Sequence, residues 1–217
     1  MDEELLQSQV ELIREVFLYS NRYDECTFVI QIGSNLVEDE RFPTLVRDLA
    51  ILQKSGIRLV LVPGAGKRID EILASYNIIS QRVKGTRISR PEHMPLIKMA
   101  AFDIANMVMT QFSSQKVDAV IGNWVNARSV GVRDGVDFLD SGTVASVNVD
   151  LLNKVMDDHL MPILPCIGWS RFGKPYNLSS LELASHLAGQ LKAEKLFFIS
   201  DSFVLTPEGY QLPPDGI

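Results

Sequence analysis

The chain has 217 residues, 46% hydrophobic and 22% charged, enough apolar material for a substantial core and too mixed a text for a disordered or low-complexity polymer. Its 27 acidic against 21 basic residues give a net charge of -6, the wrong sign for a phosphate-backbone binder, and no apolar run approaches the roughly 20 residues that a membrane helix needs. Neither nucleic acid nor a membrane is an expected partner.

The start, Met1-Asp2-Glu3-Glu4, is acidic where a targeting presequence is basic, so the expected location is cytoplasmic. Residues 3–20 set Leu6, Val10, Ile13 and Phe17 at steps of four, three and four, one stripe of an amphipathic helix that precedes any strand. TFVIQI at 27–32 reads as a strand ending at Gly33-Ser34, and 43–55 as a helix with Leu45, Leu49 and Leu52 on one side, stopped by Gly56. IRLVLV at 57–62 is a second strand, closed by Pro63-Gly64-Ala65-Gly66. Continuous apolar runs of this kind belong to strands buried on both faces of a mainly parallel sheet.

A helix over 91–112 and a strand over 118–121 continue the alternation, while Gly131, Gly135 and Gly142 punctuate short valine-rich segments between 126 and 148, the text of a β-hairpin inserted into the framework. The spacing then predicts a helix over 149–158, a strand over 160–165, a helix over 180–192 and a strand over 196–199. An α/β sheet normally continues past such a strand, whereas this chain runs through Pro207, Pro213 and Pro214 and stops at Ile217, so a C-terminally truncated protein is expected. Cys26 and Cys166 are far apart and without CxxC spacing, and read as buried thiols. His93, His159 and His186 have no ligand spacing, and no metal is expected.

Two loops follow buried-looking strands, Gly33-Ser34-Asn35 and Gly64-Ala65-Gly66-Lys67. Ligands of open α/β sheets sit at the carboxyl ends of strands, where glycine lets backbone N–H groups approach an anion. The alternative is that these glycines only turn the chain; neither loop is a Walker loop or a GxGxxG fingerprint. Arg87 has the fork to hold a carboxylate bidentately, although a lone arginine is more often a solvated surface charge.

Taken in order, FVIQIGSN at 28–35, DLAILQKSGIRLVLVPGAGKRID at 48–70, TRIS at 86–89, GVRDGVDFLDSG at 131–142 and YNLSSLELASHLAGQLKAEKL at 176–196 resemble the amino-acid kinase family, and more narrowly the amino-acid-kinase-like domain of N-acetylglutamate synthases. The resemblance implies the amino-acid kinase (carbamate kinase-like) fold, a three-layer αβα arrangement with a mainly parallel sheet. It divides the chain into an interlacing helix at 1–22, an N-acetylglutamate-binding-like lobe at 23–170 and a partial nucleotide- or arginine-binding-like lobe at 171–217. It implies an N-acetylglutamate-like pocket at Gly33, Ser34, Gly64, Ala65, Gly66, Arg87 and Asn177, and an arginine site holding Tyr19 and Lys195, with the remainder beyond Ile217.

Acetylglutamate kinases resemble this chain at the first strand but carry a lysine where Gln31 stands and an aspartate where Leu181 stands. A neutral amide lacks the charge that stabilises a transferring phosphoryl group, so no catalytic residue is expected here. The implied role is arginine sensing and homo-oligomerisation, dimer to hexamer, in the first step of arginine biosynthesis. The implied cofactor count is none in this chain, acetyl-CoA being the co-substrate of an acetyltransferase domain that these residues lack. Two other readings stand at this point: an active acetylglutamate kinase, and a non-catalytic ligand-binding or oligomerisation module.

Overall fold

The computed structural model describes residues 3–201, so the prolines at 207–214 lie outside the described residues. In chain order the elements are α1 (Glu3–Tyr23), β1 (Thr27–Ile32), α2 (Phe42–Lys54), β2 (Arg58–Pro63), α3 (Gly66–Ser75), β3 (Arg82–Val83) and β4 (Thr86–Arg87). A 3-10 turn (Pro91–His93) leads into α4 (Met94–Ser114), followed by β5 (Ala119–Ile121), β6 (Val125–Ser129), β7 (Val132–Arg133), β8 (Val136–Asp137) and β9 (Gly142–Val147). The last elements are α5 (Val149–Asp157), β10 (Met161–Ile163), β11 (Ile167–Trp169), β12 (Pro175–Asn177), α6 (Ser180–Leu191) and β13 (Lys195–Ile199).

The apolar runs become a five-stranded sheet of order β13-β1-β2-β10-β5, parallel throughout. Strand periodicity then sorts its side chains into two cores. Phe28, Ile30, Ile32, Leu59 and Leu61 pack with α2, α3 and α4 on one face, and Val29, Val60 and Val62 pack with α5 and α6 on the other. These are the three layers expected of the fold. Gln31, between Ile30 and Ile32, therefore faces the α6 side.

The segment expected to be one inserted hairpin is more elaborate. β6 and β9 pair antiparallel, β7 and β8 form a small hairpin at their tip, and β11 and β12 extend the pair into a second, four-stranded sheet of order β12-β11-β6-β9. β11 passes so close to β6 that a Cβ at Gly168 would stand 2.7 Å from the Cβ of Ala127 and 3.0 Å from Leu178. Gly168→Val is therefore expected to lower stability by about 1–3 kcal/mol through overpacking, read from the urea midpoint; an unchanged midpoint would mean that the two strands part readily.

Helix ends follow local chemistry. The Asn148 side chain accepts from Leu151 N–H at 3.1 Å to start α5, and Ser179 accepts from Glu182 N–H at 3.5 Å to start α6. Proline sits in the first turn of both α2 and α4, where it sacrifices no hydrogen bond. Cys166 is buried as expected; Cys26, at the mouth of β1, is only partly buried because it ends the connection from α1 before the strand enters the core.

α1 behaves unlike the other helices. Residues 7–19 are exposed throughout, and the stripe is no exception, with Ile13 54% and Phe17 67% accessible. The side chain of Leu6 lies outside the described ones. Among the described side chains, α1 joins the domain at its carboxyl end, where Tyr23 is buried in the core.

Candidate functional site

The two glycine loops lie together where β13, β1 and β2 end side by side. Gly33 N–H donates to Ile199 O at 2.8 Å and Gly64 N–H donates to Ile32 O at 2.7 Å, which ties the three strand ends together. A side chain at Gly64 would stand 3.2 Å from Ile32 O, 3.2 Å from Ser34 N and 3.3 Å from Ser180 Oγ, so only glycine lets the two loops and the start of α6 meet this closely. α3 starts at Gly66 and α6 at Ser180, so two helix amino ends, each with unsatisfied N–H groups, converge on Ser34, Gly64, Ala65 and Gly66.

At the floor of this region Gln31 is buried and its Nε2 donates to Ser180 Oγ at 3.2 Å. Next to it the Cys166 thiol donates to Pro63 O at 3.3 Å. Burial pushes that thiol up to about 12, against the Ala65 N–H and the Ser180 hydroxyl, which favour the thiolate. The floor is thus neutral. Leu181, in the first turn of α6, is exposed and holds no charge against it.

Arg87 is not a solvated surface charge: its side chain is 5% exposed. Its guanidinium donates to Asp70, to the Ser80 hydroxyl and, at 3.0 Å, to Gly66 O, while Asp70 also takes Arg82 at 2.9 Å. Burial works to raise the Asp70 carboxyl, but the hydrogen bond and charge of Arg87, joined by Arg82 and Ser80, outweigh it and hold the group below the ordinary carboxylate range. Asn177 stands one step behind: its amide donates to Ser89 Oγ at 3.0 Å, Ser89 Oγ lies 3.0 Å from Ser141 Oγ, and the Ser141 hydroxyl donates to the Arg87 carbonyl. It meets Arg87 through this buried relay rather than beside the glycine loops.

Tyr19 and Lys195 come together at the other end of the same sheet, since Lys195 opens β13 whereas the glycine loops follow the strand ends. A five-residue strand separates the two places by about 16 Å. The Lys195 ammonium donates to the Tyr19 hydroxyl at 3.4 Å and lies 4.3 Å from the centroid of Tyr23, 5.2 Å from that of Tyr19 and 5.6 Å from that of Phe28. Burial lowers the ammonium's affinity for its proton, but the Tyr23 and Tyr19 hydroxyls outweigh this and raise it. Three ring faces around one nitrogen make a cage suited to cations.

Tyr23 and Phe28 of this cage, and Asp70, Ser80, Arg82 and Ser180 of the first region, were not expected as site residues. The tyrosines at 19 and 23 share one helix face by their four-residue spacing, a signal available in the sequence; Asp70 and Arg87 lie 17 residues apart on separate elements, and nothing in the text pairs them. Among the described residues no three His, Cys, Asp or Glu converge as metal ligands, and no helix is long and apolar enough to cross a membrane.

The sequence profile of the amino acid kinase family matches residues 27–204. Among curated relatives, an amino-acid acetyltransferase of Salmonella typhi is 35% identical over 210 residues, 92% of this chain and 47% of its own. Two solved structures of N-acetylglutamate synthase from Neisseria gonorrhoeae are similar at 28% identity. The one complexed with coenzyme A and N-acetyl-glutamate has a TM-score of 0.83 over 92% of this chain and 47% of that one. The one complexed with coenzyme A and L-arginine has a TM-score of 0.80 over 93% and 50%. The chain spans about half the length of the relatives it matches. With a matching profile across both the glycine loops and β13, and the parallel sheet that such a profile requires, the chain belongs to the amino acid kinase family.

Proposed function

We propose that the chain is the amino-acid-kinase-like half of an N-acetylglutamate synthase, which senses L-arginine and assembles the oligomer rather than performing chemistry. The observation that carries this reading is the meeting of Tyr19 and Lys195, 176 residues apart in sequence, at the root of α1. The two synthase structures, one holding L-arginine, support it by likeness. In this reading acetyl transfer from acetyl-CoA to glutamate belongs to sequence outside these residues, and the protein works in the cytoplasm.

The proposed division is α1 with its flank (1–22) as the assembly segment, 23–170 as the lobe carrying the N-acetylglutamate-like pocket, and 171–217 as part of the effector lobe. The pocket comprises Gly33, Ser34, Gly64, Ala65, Gly66, Arg87 and Asn177, and takes N-acetylglutamate or a glutamate-like molecule weakly. The effector site comprises Tyr19 and Lys195. Calorimetry with L-arginine on the protein tests the assignment. Lys195→Ala is expected to weaken arginine binding at least about tenfold, the effect of losing one half-buried charged hydrogen-bond donor. Arginine affinity indifferent to Lys195→Ala would place the effector elsewhere.

A further inference from the structure

The buried guanidinium of Arg87 poses a question that arginine sensing leaves untouched: which anion neutralises it. The ion pairs of Arg82 and Arg87 among the described residues both go to Asp70, so one carboxylate serves two guanidinium groups. The neighbouring cations are turned away, Lys67 to Glu38 at 2.6 Å and Arg68 to Asp103 at 2.8 Å. The Asp70 carboxylate accepts from Arg87 on one oxygen and from Arg82 on the other, as a small carboxylate ligand would.

Access runs through the same residue. Arg87 is sealed, whereas the Asp70 side chain is 42% exposed and borders a cavity of about 590 Å³, lined also by Ala74, Asn77, Ser80 and Arg82. Arg82 reaches back over the glycine loop, its Nη2 lying 3.6 Å from where a Gly66 Cβ would be, with Ser34 Oγ at 3.7 Å from the same point. The cationic cluster is therefore adjacent to the glycine loops, and on its solvent side Asp70 stands with Ser80 and Arg82 at the cavity.

We infer that Asp70 is a built-in occupant of a carboxylate subsite formed by Arg87, Arg82 and Ser80, and that it is the specificity-determining residue excluding small free carboxylates from that subsite. An N-acylated amino acid must displace Asp70 from Arg87, and the neighbouring Lys67 and Arg68 are already engaged with Glu38 and Asp103. This deepens the weak N-acetylglutamate-like pocket proposed above and rests on that part of the reading; it does not rest on arginine sensing.

The experiment is chemical rescue. Asp70→Ala leaves Arg87 buried without a counter-ion and opens a hole the size of a carboxylate group, on the side where Asp70 borders the cavity. Thermal melts are compared for the wild type, Asp70→Ala and Asp70→Ala/Arg87→Ala in sodium chloride and in sodium acetate or sodium N-acetylglutamate at matched ionic strength and tens of millimolar. The expected result is that Asp70→Ala melts below the wild type and is raised several degrees by either carboxylate, with little shift in the wild type and none in the double variant. Equal shifts in all three proteins, or none in a folded Asp70→Ala, would overturn the inference. If Asp70→Ala does not fold, Asp70→Asn keeps the shape without the charge, and calorimetry should then show N-acetylglutamate binding at least about tenfold tighter than to the wild type. Unaltered affinity there would overturn it equally. L-arginine binding, which involves the opposite end of the sheet, is expected to survive Asp70→Asn, so loss of the arginine response alone counts against the effector assignment and not against this one.

Discussion

Given ATP and N-acetylglutamate, the chain is expected to form no ADP above background. Phosphoryl transfer relies on fixed positive charge at the migrating group, and removing one such stabilising group commonly costs about two to three orders of magnitude in rate. Here Gln31 is neutral, buried and already committed to Ser180, and Leu181 supplies no carboxylate to organise a lysine were one present. The two losses together make about four to six orders of magnitude if independent. Gln31→Lys alone is not expected to restore activity, because it buries an ammonium where the partner of Gln31 is a neutral hydroxyl, that of Ser180. A coupled ADP assay decides the matter: turnover that vanishes on Gln31→Ala would mean that the floor of the pocket is catalytic after all.

Deleting residues 1–22 is expected to cut the mass seen by light scattering, by about threefold if hexamers fall to dimers, while circular dichroism and the melting transition persist. An amphipathic helix of this length is marginal alone in water, and its stripe must be covered by something. Val10, Ile13 and Phe17, with Leu12, Val16 and Leu18 around them, are all exposed, so the chain's own core does not cover them. A second copy meets the need with the same surface. The cut spares Tyr23, which belongs to the core. A wild-type protein strictly monomeric at tens of micromolar would defeat this expectation.

The parallel sheet was legible because strands buried on two faces leave unbroken text: Phe28 to Ile32 and Leu59 to Val62 hold almost nothing but apolar residues. α3 was not, since it begins directly at the glycine loop and carries only Ile69, Ile72 and Leu73 to the core amid charged residues. The second sheet was half legible. Its valines showed strands, but β11 and β12 are three residues each, too short for periodicity to register. At the site, the strand-end loops followed from glycine placement, and Tyr19 with Lys195 from resemblance alone. Arg87 was singled out for the right chemistry, but its partner was taken to be a ligand. In the structure the Asp70 carboxylate, on α3, faces that charge, a pairing that only three dimensions reveal.

The cage around Lys195 also fixes a direction in space. Tyr19 and Tyr23 sit one turn apart with ring centroids 4.5 Å from each other, so the ammonium clamps the last turn of α1 at an angle set by two aromatic faces. Beyond that clamp the helix runs back to Glu3 for about 24 Å, and its described side chains from residue 7 on are exposed. A tilt of about 10° at the clamp therefore sweeps the far end through about 4 Å, most of the rise of a helical turn. The residues that make the cation cage, Tyr19 and Tyr23, are thus also the ones from which the helix projects.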